Sequence, residues 1–205
     1  MADPRDDDLM RAFAAGDARA FEQLYQRHQA ALYRFVRRLL GSTAANQVDE
    51  VFQDTWLRVI QSRAAWQPGA AAWRTWLFTI AHHRAVDGLR KSRREVSTSA
   101  GRDDEAPWEP QGDEVAAWAA WPAAASSAED TAFWRAAGQR LLACLDELPV
   151  AQRTVFLLHH EDGLKVDEVA RALALGFETA KTRLRYAMSK LRTCMGAYLP
   201  QEASR

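Results

Sequence analysis

Apolar residues recur with a helical period through the first hundred positions of the chain. Asp17 is placed to cap a first helix, and Gly41 to end it, because glycine accepts the conformation that follows a helix. The apolar positions of this helix are Phe21, Leu24, Tyr25, Leu32, Phe35, Val36, Leu39 and Leu40. A second helix is predicted from about Ala44 to Ser62, and a third from about Ala71 to Arg94 after a Pro-Gly loop. No segment alternates convincingly with period two, so strands are not expected.

The pattern changes from residue 96 to about residue 129, where prolines, serines and acids replace the helical period. We interpret this stretch as a flexible acidic linker, although its tryptophans at 108, 118 and 121 are unusual for a solvated tether. A second helical region then begins near residue 130. The predicted fold is all-α, with two small helical domains joined by the linker. The expected divisions are a tail (1–16), a first domain (17–95), the linker (96–129), a second domain (130–197) and a tail (198–205).

The second domain contains a predicted helix-turn-helix. Val166, Val169, Ala170 and Leu173 are spaced to bury one face of its short first helix. The turn is expected from Ala174 to Phe177, with Gly176 free to adopt a left-handed conformation. Glu178 or Thr179 is expected to open the second helix.

That second helix carries cations and no acid from Lys181 to Arg192. Its predicted inward face consists of Ala180, Leu184, Ala187, Met188 and Leu191. A cationic helix presented by a short packing helix is a usual way to enter the major groove of DNA. We expect Lys181, Thr182 and Arg185 to contact bases, and Thr179 and Arg183 to contact phosphates. Tyr186 flanks this surface. The alternative is an amphipathic helix whose basic face is only solvated.

The third helix of the first domain mixes aromatic and cationic residues. Tryptophans at 66, 73 and 76 lie near polar and basic side chains at 82, 83, 84 and 90. Such a mixture suits single-stranded nucleic acid, because bases stack on rings while cations follow the backbone. The alternative is that the tryptophans are core residues. We favour the core for Trp76 and exposure for Trp73, which begins the helix beside the loop.

Composition restricts the remaining classes of function. The 205 residues carry no formal net charge, so nucleic-acid binding has to come from local clusters of charge. Cys144 and Cys194 stand far apart, which argues against a disulfide framework, fits a reducing cytoplasm and favours ordinary packing. No membrane span, signal peptide, metal motif or cofactor motif is expected. No nucleophile stands at a recognisable spacing from a base, so an enzyme is not expected.

Three segments together resemble a known family, the extracytoplasmic-function group of sigma-70 RNA polymerase sigma factors. The segments read VDEVFQDTWLRV, WRTWLFTIAHHRAVDGLRK and LPVAQRTVFLLHHEDGLKVDEVARALALGFETAKTRLRYAMSKLR. The resemblance extends from about Ala20 to Met195. Within it, Ala174 replaces the commoner turn glycine, which requires a negative φ at that position.

The resemblance implies a role for each segment. The first would bind core RNA polymerase through Asp49, Glu50, Gln53, Asp54 and Trp56, with Trp56 as an exposed aromatic beside the acids. The second would recognise and open the promoter minus-ten element through Trp66, Trp73, Arg74, His83, Arg84 and Arg90, with the 64–72 loop holding a flipped base. The third would read the minus-thirty-five element through Thr179, Lys181, Thr182, Arg183, Arg185 and Tyr186.

The resemblance also implies partners: core RNA polymerase, promoter DNA and an anti-sigma protein that covers both helical domains. A competing hypothesis is a helix-turn-helix regulator that binds promoter DNA without polymerase. In that case the first domain would sense an effector or mediate oligomerisation.

Overall fold

A computed structural model describes residues 4–67, 72–96, 128–160 and 163–198. All the regular structure in these ranges is helical, which confirms the all-α fold class. The α-helices are α1 (Asp6–Ala14), α2 (Ala18–Leu40), α3 (Val48–Gln61), α4 (Trp73–Val96), α5 (Ala128–Asp146), α6 (Val150–His160), α7 (Val166–Ala172) and α8 (Phe177–Met195). Most of the predicted linker, including its tryptophans, lies outside the described residues.

Helix α2 begins and ends where the sequence predicts. The Asp17 side chain accepts a hydrogen bond of 2.9 Å from the Arg19 amide, which satisfies one of the free donors of the first turn. Gly41 closes the helix with φ +63°, a region that side chains with a Cβ rarely enter. The predicted second helix is a short 3₁₀ turn (Ala45–Gln47) followed by α3.

Residues 6–14, predicted to belong to an N-terminal tail, form α1 and join the core of the first domain. Leu9, Met10 and Phe13 are buried there. The Asp7 carboxylate accepts a hydrogen bond of 2.9 Å from the Trp73 amide, at the first residue of α4. An acid at this point also complements the positive end of the helix dipole. Helix α1 therefore helps to define where α4 begins.

The two cysteines of the second domain form a disulfide, so the expectation of ordinary packed thiols is wrong. Cys144 lies on α5 and Cys194 near the end of α8, with an S–S distance of 2.01 Å and Cα atoms 5.9 Å apart. The separation of 50 positions in sequence was misleading, because α5 packs directly against α8. Sequence distance does not limit disulfide geometry once two helices are neighbours.

The turn between α7 and α8 also differs from expectation. Gly176 is extended, with φ −66°, and serves as the N-cap of α8. The left-handed residue is Ala174, with φ +52°, so the expected negative φ is wrong. An alanine in this region is strained because its Cβ crowds the following carbonyl. The turn is nevertheless bonded: the Ala174 amide donates to the Arg171 carbonyl and the Leu175 amide to the Ala170 carbonyl.

A buried arginine joins the two domains. Arg153 of α6 is 6% exposed, and burial lowers the pKa of its guanidinium. Its Nη1 donates to the Leu39 carbonyl of α2 at 3.2 Å and lies 3.5 Å from the Asp146 carboxylate of α5. The other Asp146 oxygen accepts from the Ser42 amide at 3.0 Å. A Cβ on Gly41 would collide with both side chains, so glycine permits this close approach. We call Arg153, Asp146, Leu39, Gly41 and Ser42 the interdomain latch.

Candidate nucleic acid interfaces

Helix α8 presents its predicted basic face to solvent. Thr179, Lys181 and Thr182 are exposed, and Arg185 is half-buried. The opposite face is buried as the sequence predicts, with Ala180 and Leu191 fully inaccessible. This division places the candidate base-contacting side chains together on one exposed surface near the N-terminal end of the helix.

The other two candidates on α8 are less accessible. Arg183 is half-buried, and its Nε atom is enclosed without a hydrogen-bond partner among the residues that the structure describes. Tyr186 is half-buried and already takes part in an intramolecular interaction. The first helix of the motif is held by Glu168, whose carboxylate accepts from the Lys165 amide at 2.7 Å. This capping positions α7 as the support on which α8 rests.

The candidate tryptophans of α4 and of the segment before it are buried, unlike the basic face of α8. Trp73 is 0% exposed and Trp66 is 7% exposed, so the expectation that Trp73 is accessible is wrong. The Trp73 ring packs at 5.4 Å from Trp76 and at 6.4 Å from His28. It is the first residue of α4, but α1 lies over that end of the helix and excludes water. In this conformation neither ring can stack on a base.

The cations of α4 are only partly free. The Arg74 guanidinium lies over the Phe78 ring at 5.7 Å, and Arg84 pairs with Asp54 of α3 at 3.3 Å. His83 and Arg90 are exposed. His82, the neighbour of His83, is neutral at physiological pH, since burial and the nearby His83 and Arg90 lower its pKa to about 4. The accessible polar edge of α4 therefore centres on His83 and Arg90.

The predicted polymerase-binding surface lies on α3. Asp49, Glu50 and Gln53 are exposed, and Asp54 is half-buried. Trp56, expected as an exposed aromatic beside these acids, is 5% exposed, so that expectation is wrong. Its ring instead packs 5.0 Å from Tyr25 of α2.

The exposed apolar groups at this surface are different residues. Leu57 of α3 is 54% exposed, and Tyr33 of α2 is 38% exposed. The Tyr33 hydroxyl donates to the Asp49 carboxylate at 3.0 Å, and this bond raises the pKa of Tyr33. The surface thus combines exposed acids with an accessible leucine and tyrosine, a composition suited to a protein partner.

Sequence reasoning missed two further groups. The interdomain latch could not be predicted from the sequence, because Arg153 and Asp146 have ordinary helical spacings. The residue that Arg153 contacts in the other domain, Leu39, is distant in sequence. Phe177 was assigned to the turn, yet it is the first residue of α8 and is 50% exposed. A large apolar residue between Gly176 and a polar pair was the available signal.

No metal-binding group of three or more His, Cys, Asp or Glu residues occurs in the part of the chain that the structure describes. Among those same residues, no helix is long and apolar enough to cross a membrane.

Two family models match the two domains. The model for sigma-70 region 2 matches residues 24–95, and the model for sigma-70 region 4 matches residues 138–191. The first range contains most of α2, all of α3 and all of α4 except its last residue. The second contains α6, α7 and the candidate face of α8.

Individual proteins match over nearly the whole length. The chain is 33% identical over 190 residues to the ECF RNA polymerase sigma factor SigK of Mycolicibacterium vanbaalenii, covering 93% of this chain and 89% of that protein. It is 31% identical over 193 residues to the SigK of Mycobacterium tuberculosis strain H37Ra, covering 92% of each.

Solved structures show the same fold. CnrH in complex with the cytosolic domain of CnrY aligns with a TM-score of 0.63 at 24% identity, covering 94% of this chain and 97% of that one. The sigma factor RpoE of Bartonella quintana, in complex with the anti-sigma factor NepR, aligns with a TM-score of 0.62 at 22% identity, covering 86% and 96%. With both domain models, nearly full-length relatives and this fold in agreement, the chain belongs to the ECF RNA polymerase sigma factors of the sigma-70 family.

Proposed function

We propose that this sigma factor binds core RNA polymerase through α3, holds the minus-thirty-five element with α8, and recognises and opens the minus-ten element with the domain that contains α4. The observation that carries the proposal is the exposed cationic face of α8, in the same chain as a domain that matches sigma-70 region 2. All catalysis would belong to the polymerase, and the chain itself would have no enzymatic activity. The functional divisions would be 17–95 and 130–197, with 96–129 as the connection.

The proposed upstream contacts follow from what is accessible on α8. Lys181 and Arg185 would donate to guanine edges and Thr182 would contact a base, while Thr179 would bind a phosphate. Arg183 and Tyr186 would act from the border of this surface. Salt would weaken the binding strongly, because each cation that neutralises a phosphate releases counterions.

The proposed downstream contacts centre on the exposed edge of α4. His83 and Arg90 can reach DNA directly, and Arg84 can do so by exchanging its partner Asp54 for a phosphate. Arg74 would contribute from the start of the helix. Trp66 and Trp73 would support the fold of this domain unless DNA binding uncovers them. Melting needs a flipped base to be held, and the part of the 64–72 loop at 68–71 lies outside the described residues.

The proposed function requires the two domains to separate. The promoter elements are named for positions about 25 base pairs apart, which corresponds to about 85 Å of duplex. In the structure α4 packs against α7, and α2 packs against α5 and α6. With the domains packed in this way, α4 and α8 would not reach the two promoter elements at the same time. The interdomain latch therefore has to open. About 30 residues connect Val96 to Ala128, and they can reach about 100 Å when extended.

We further propose an anti-sigma partner and action in the cytoplasm. The two solved relatives above were determined in complexes, and the partner of RpoE is the anti-sigma factor NepR. A partner covering α3 and α8 would block polymerase and DNA together. The Cys144–Cys194 disulfide is unexpected in this compartment, where thiols are normally kept reduced. Co-purification of the chain from its native cell would test the partner; recovery of the chain alone or with polymerase only would oppose it.

The experiment that tests the main proposal is reconstituted transcription. Core polymerase is mixed with the full chain, and promoter-dependent transcripts are measured from a genomic or randomised promoter library. Initiation that occurs only when the chain is added supports the proposal. Binding of free duplex with no initiation would support the helix-turn-helix regulator instead.

A matched pair of variants assigns the polymerase surface. Leu57→Ala removes the most exposed apolar group of α3 and should weaken core binding about tenfold or more if it lies in the interface. Leu142→Ala is the control, because it is also exposed, at 43%, but lies on α5. Equal effects of the two substitutions would remove α3 from the proposed interface.

A further inference from the structure

Phe177 is a large apolar side chain that the fold does not use. It is 50% exposed and belongs to neither the buried core nor the apolar residues that pack against it. Its ring forms no aromatic or cation contact with the described residues. Leaving a phenylalanine in water forgoes the stabilisation that its burial would supply. A ligand contact would account for this exposure.

Phe177 lies on the same side of α8 as the basic face, so both would contact the same ligand. It is the first residue of the helix and precedes Lys181 by one turn, so the two side chains share a stripe. Helical side chains also tilt toward the N-terminus, which projects the Phe177 ring beyond the end of the helix. A recognition helix that enters the major groove with its N-terminal residues would bring this ring to the base edges.

The chemistry of the major groove limits what the ring can contact there. Phosphates and the base edges of guanine, adenine and cytosine offer charges, donors and acceptors, and phenylalanine satisfies none of these. Base faces are stacked inside the duplex. The one apolar group displayed in the groove is the 5-methyl group of thymine, and phenylalanine is among the side chains that contact it.

We propose that Phe177 reads the methyl group of a thymine in the upstream promoter element, adding an apolar specificity contact to the polar contacts of Lys181, Thr182 and Arg185. This rests on the proposed function, because it assigns α8 to the major groove of that element. It predicts a thymine on one strand of the selected sequence, at the end of the site that the N-terminus of α8 approaches.

The test removes that methyl group and nothing else. The preferred upstream element is selected with holoenzyme made from the full chain and core polymerase, and each of its thymines is then replaced singly by deoxyuridine. For holoenzyme that contains the unmodified chain, one of these deoxyuridine replacements should weaken binding of the duplex about three- to fivefold. This is the factor expected for losing one buried methyl group. Phe177→Ala should bind the thymine and deoxyuridine duplexes equally, and Phe177→Leu should keep part of the difference.

Phe133→Ala is the matched control, since Phe133 is similarly exposed, at 44%, but lies on α5. This variant should retain the full thymine preference. The inference is overturned if no deoxyuridine replacement affects the unmodified chain, or if Phe177→Ala retains the preference. Loss of polymerase or partner binding by Phe177→Ala with the preference intact would also overturn it and assign the ring to a protein. Failure of the proposed function is distinguishable, because then no promoter supports initiation at all.

Discussion

Helices α4 and α8 both combine apolar residues with cations, but they differ in how much of their surface is packed against other helices. Helix α8 is packed by α5, α6 and α7 on one side and presents the other side to solvent. Helix α4 contacts α1, α2, α3 and α7, and its aromatic residues at 73 and 78 are fully buried. The surface proposed to bind duplex DNA is therefore ready in this structure, whereas the surface proposed to open DNA is mostly core.

Aromatic and basic composition therefore does not by itself identify a nucleic acid surface. A tryptophan beside arginines has the same composition whether it stacks on a base or fills a core. The number of elements packed around a helix decides between these uses. The following experiments separate the structural role of α4 from the binding role of α8.

The largest expected effect is on stability, from Trp73→Ala. Removing a fully buried tryptophan should lower the free energy of unfolding of the first domain by about 3–5 kcal/mol. Thr182→Ala on the exposed face of α8 should change it by less than about 0.5 kcal/mol. Urea unfolding followed by circular dichroism measures both. Equal effects of the two substitutions would contradict the buried position of Trp73.

The next effect concerns how α8 is held. Replacing Cys144 and Cys194 together by serine should lower the free energy of unfolding of the second domain by about 2–4 kcal/mol, since the crosslink restricts the unfolded chain. Reducing the unmodified protein should produce a similar loss, and reductant should not affect the double variant. Free thiols found by mass spectrometry in the oxidised protein would contradict the disulfide.

A smaller effect is expected on DNA binding. Lys181→Ala or Arg185→Ala should each weaken recognition of the upstream element by about 1–3 kcal/mol and relax its sequence preference at one position. Lys190→Ala is the control, because Lys190 is exposed on another side of the same helix. Binding titrations against matched and mismatched duplexes measure the difference. Unchanged preference would remove the base-reading role.

The turn that presents α8 allows a gain in stability. Ala174→Gly should raise the free energy of unfolding by about 1 kcal/mol, because glycine accepts φ +52° without strain. Ala172→Gly, at the end of α7, should lower it by about 0.5–1 kcal/mol because helical alanine is favoured there. Thermal unfolding of the two variants compares them, and a loss in both would mean that Ala174 is not left-handed.

The last prediction is a pH dependence that belongs to α4. The pKa of His82 is 6.5 in the unfolded chain and about 4 in the fold, so the unfolded state binds a proton first. Its stabilising contribution is therefore present above pH 6.5 and is lost as the pH falls toward 4. Urea midpoints across this window should fall less steeply for His82→Gln than for the unmodified protein. His83→Gln should keep most of the original slope, because burial, the largest cause of the low pKa of His82, is unchanged.

Much of the architecture was predictable because it depends on local signals. The Asp17 cap, the Gly41 end and the inward face of α8 each follow from a few neighbouring residues. Three expectations were wrong where distant elements meet: Trp73 is covered by α1, Trp56 by α2, and Cys144 lies against Cys194. The positive φ of Ala174 shows a fourth limit, since the path of the chain between two packed helices overrode the preference of alanine.

Periodicity, capping and charge act over one or two helical turns, so the residues alone predict the helices, the helix-turn-helix and the cationic face of α8. The family was indicated by the resemblance of three segments. Only the tertiary structure decided which aromatic rings are buried, that α1 caps α4, and that Arg153 joins the domains through Leu39 and Asp146. These features depend on contacts between segments far apart in sequence. Exposure is a property of the packed neighbours of a residue, and no local pattern names them.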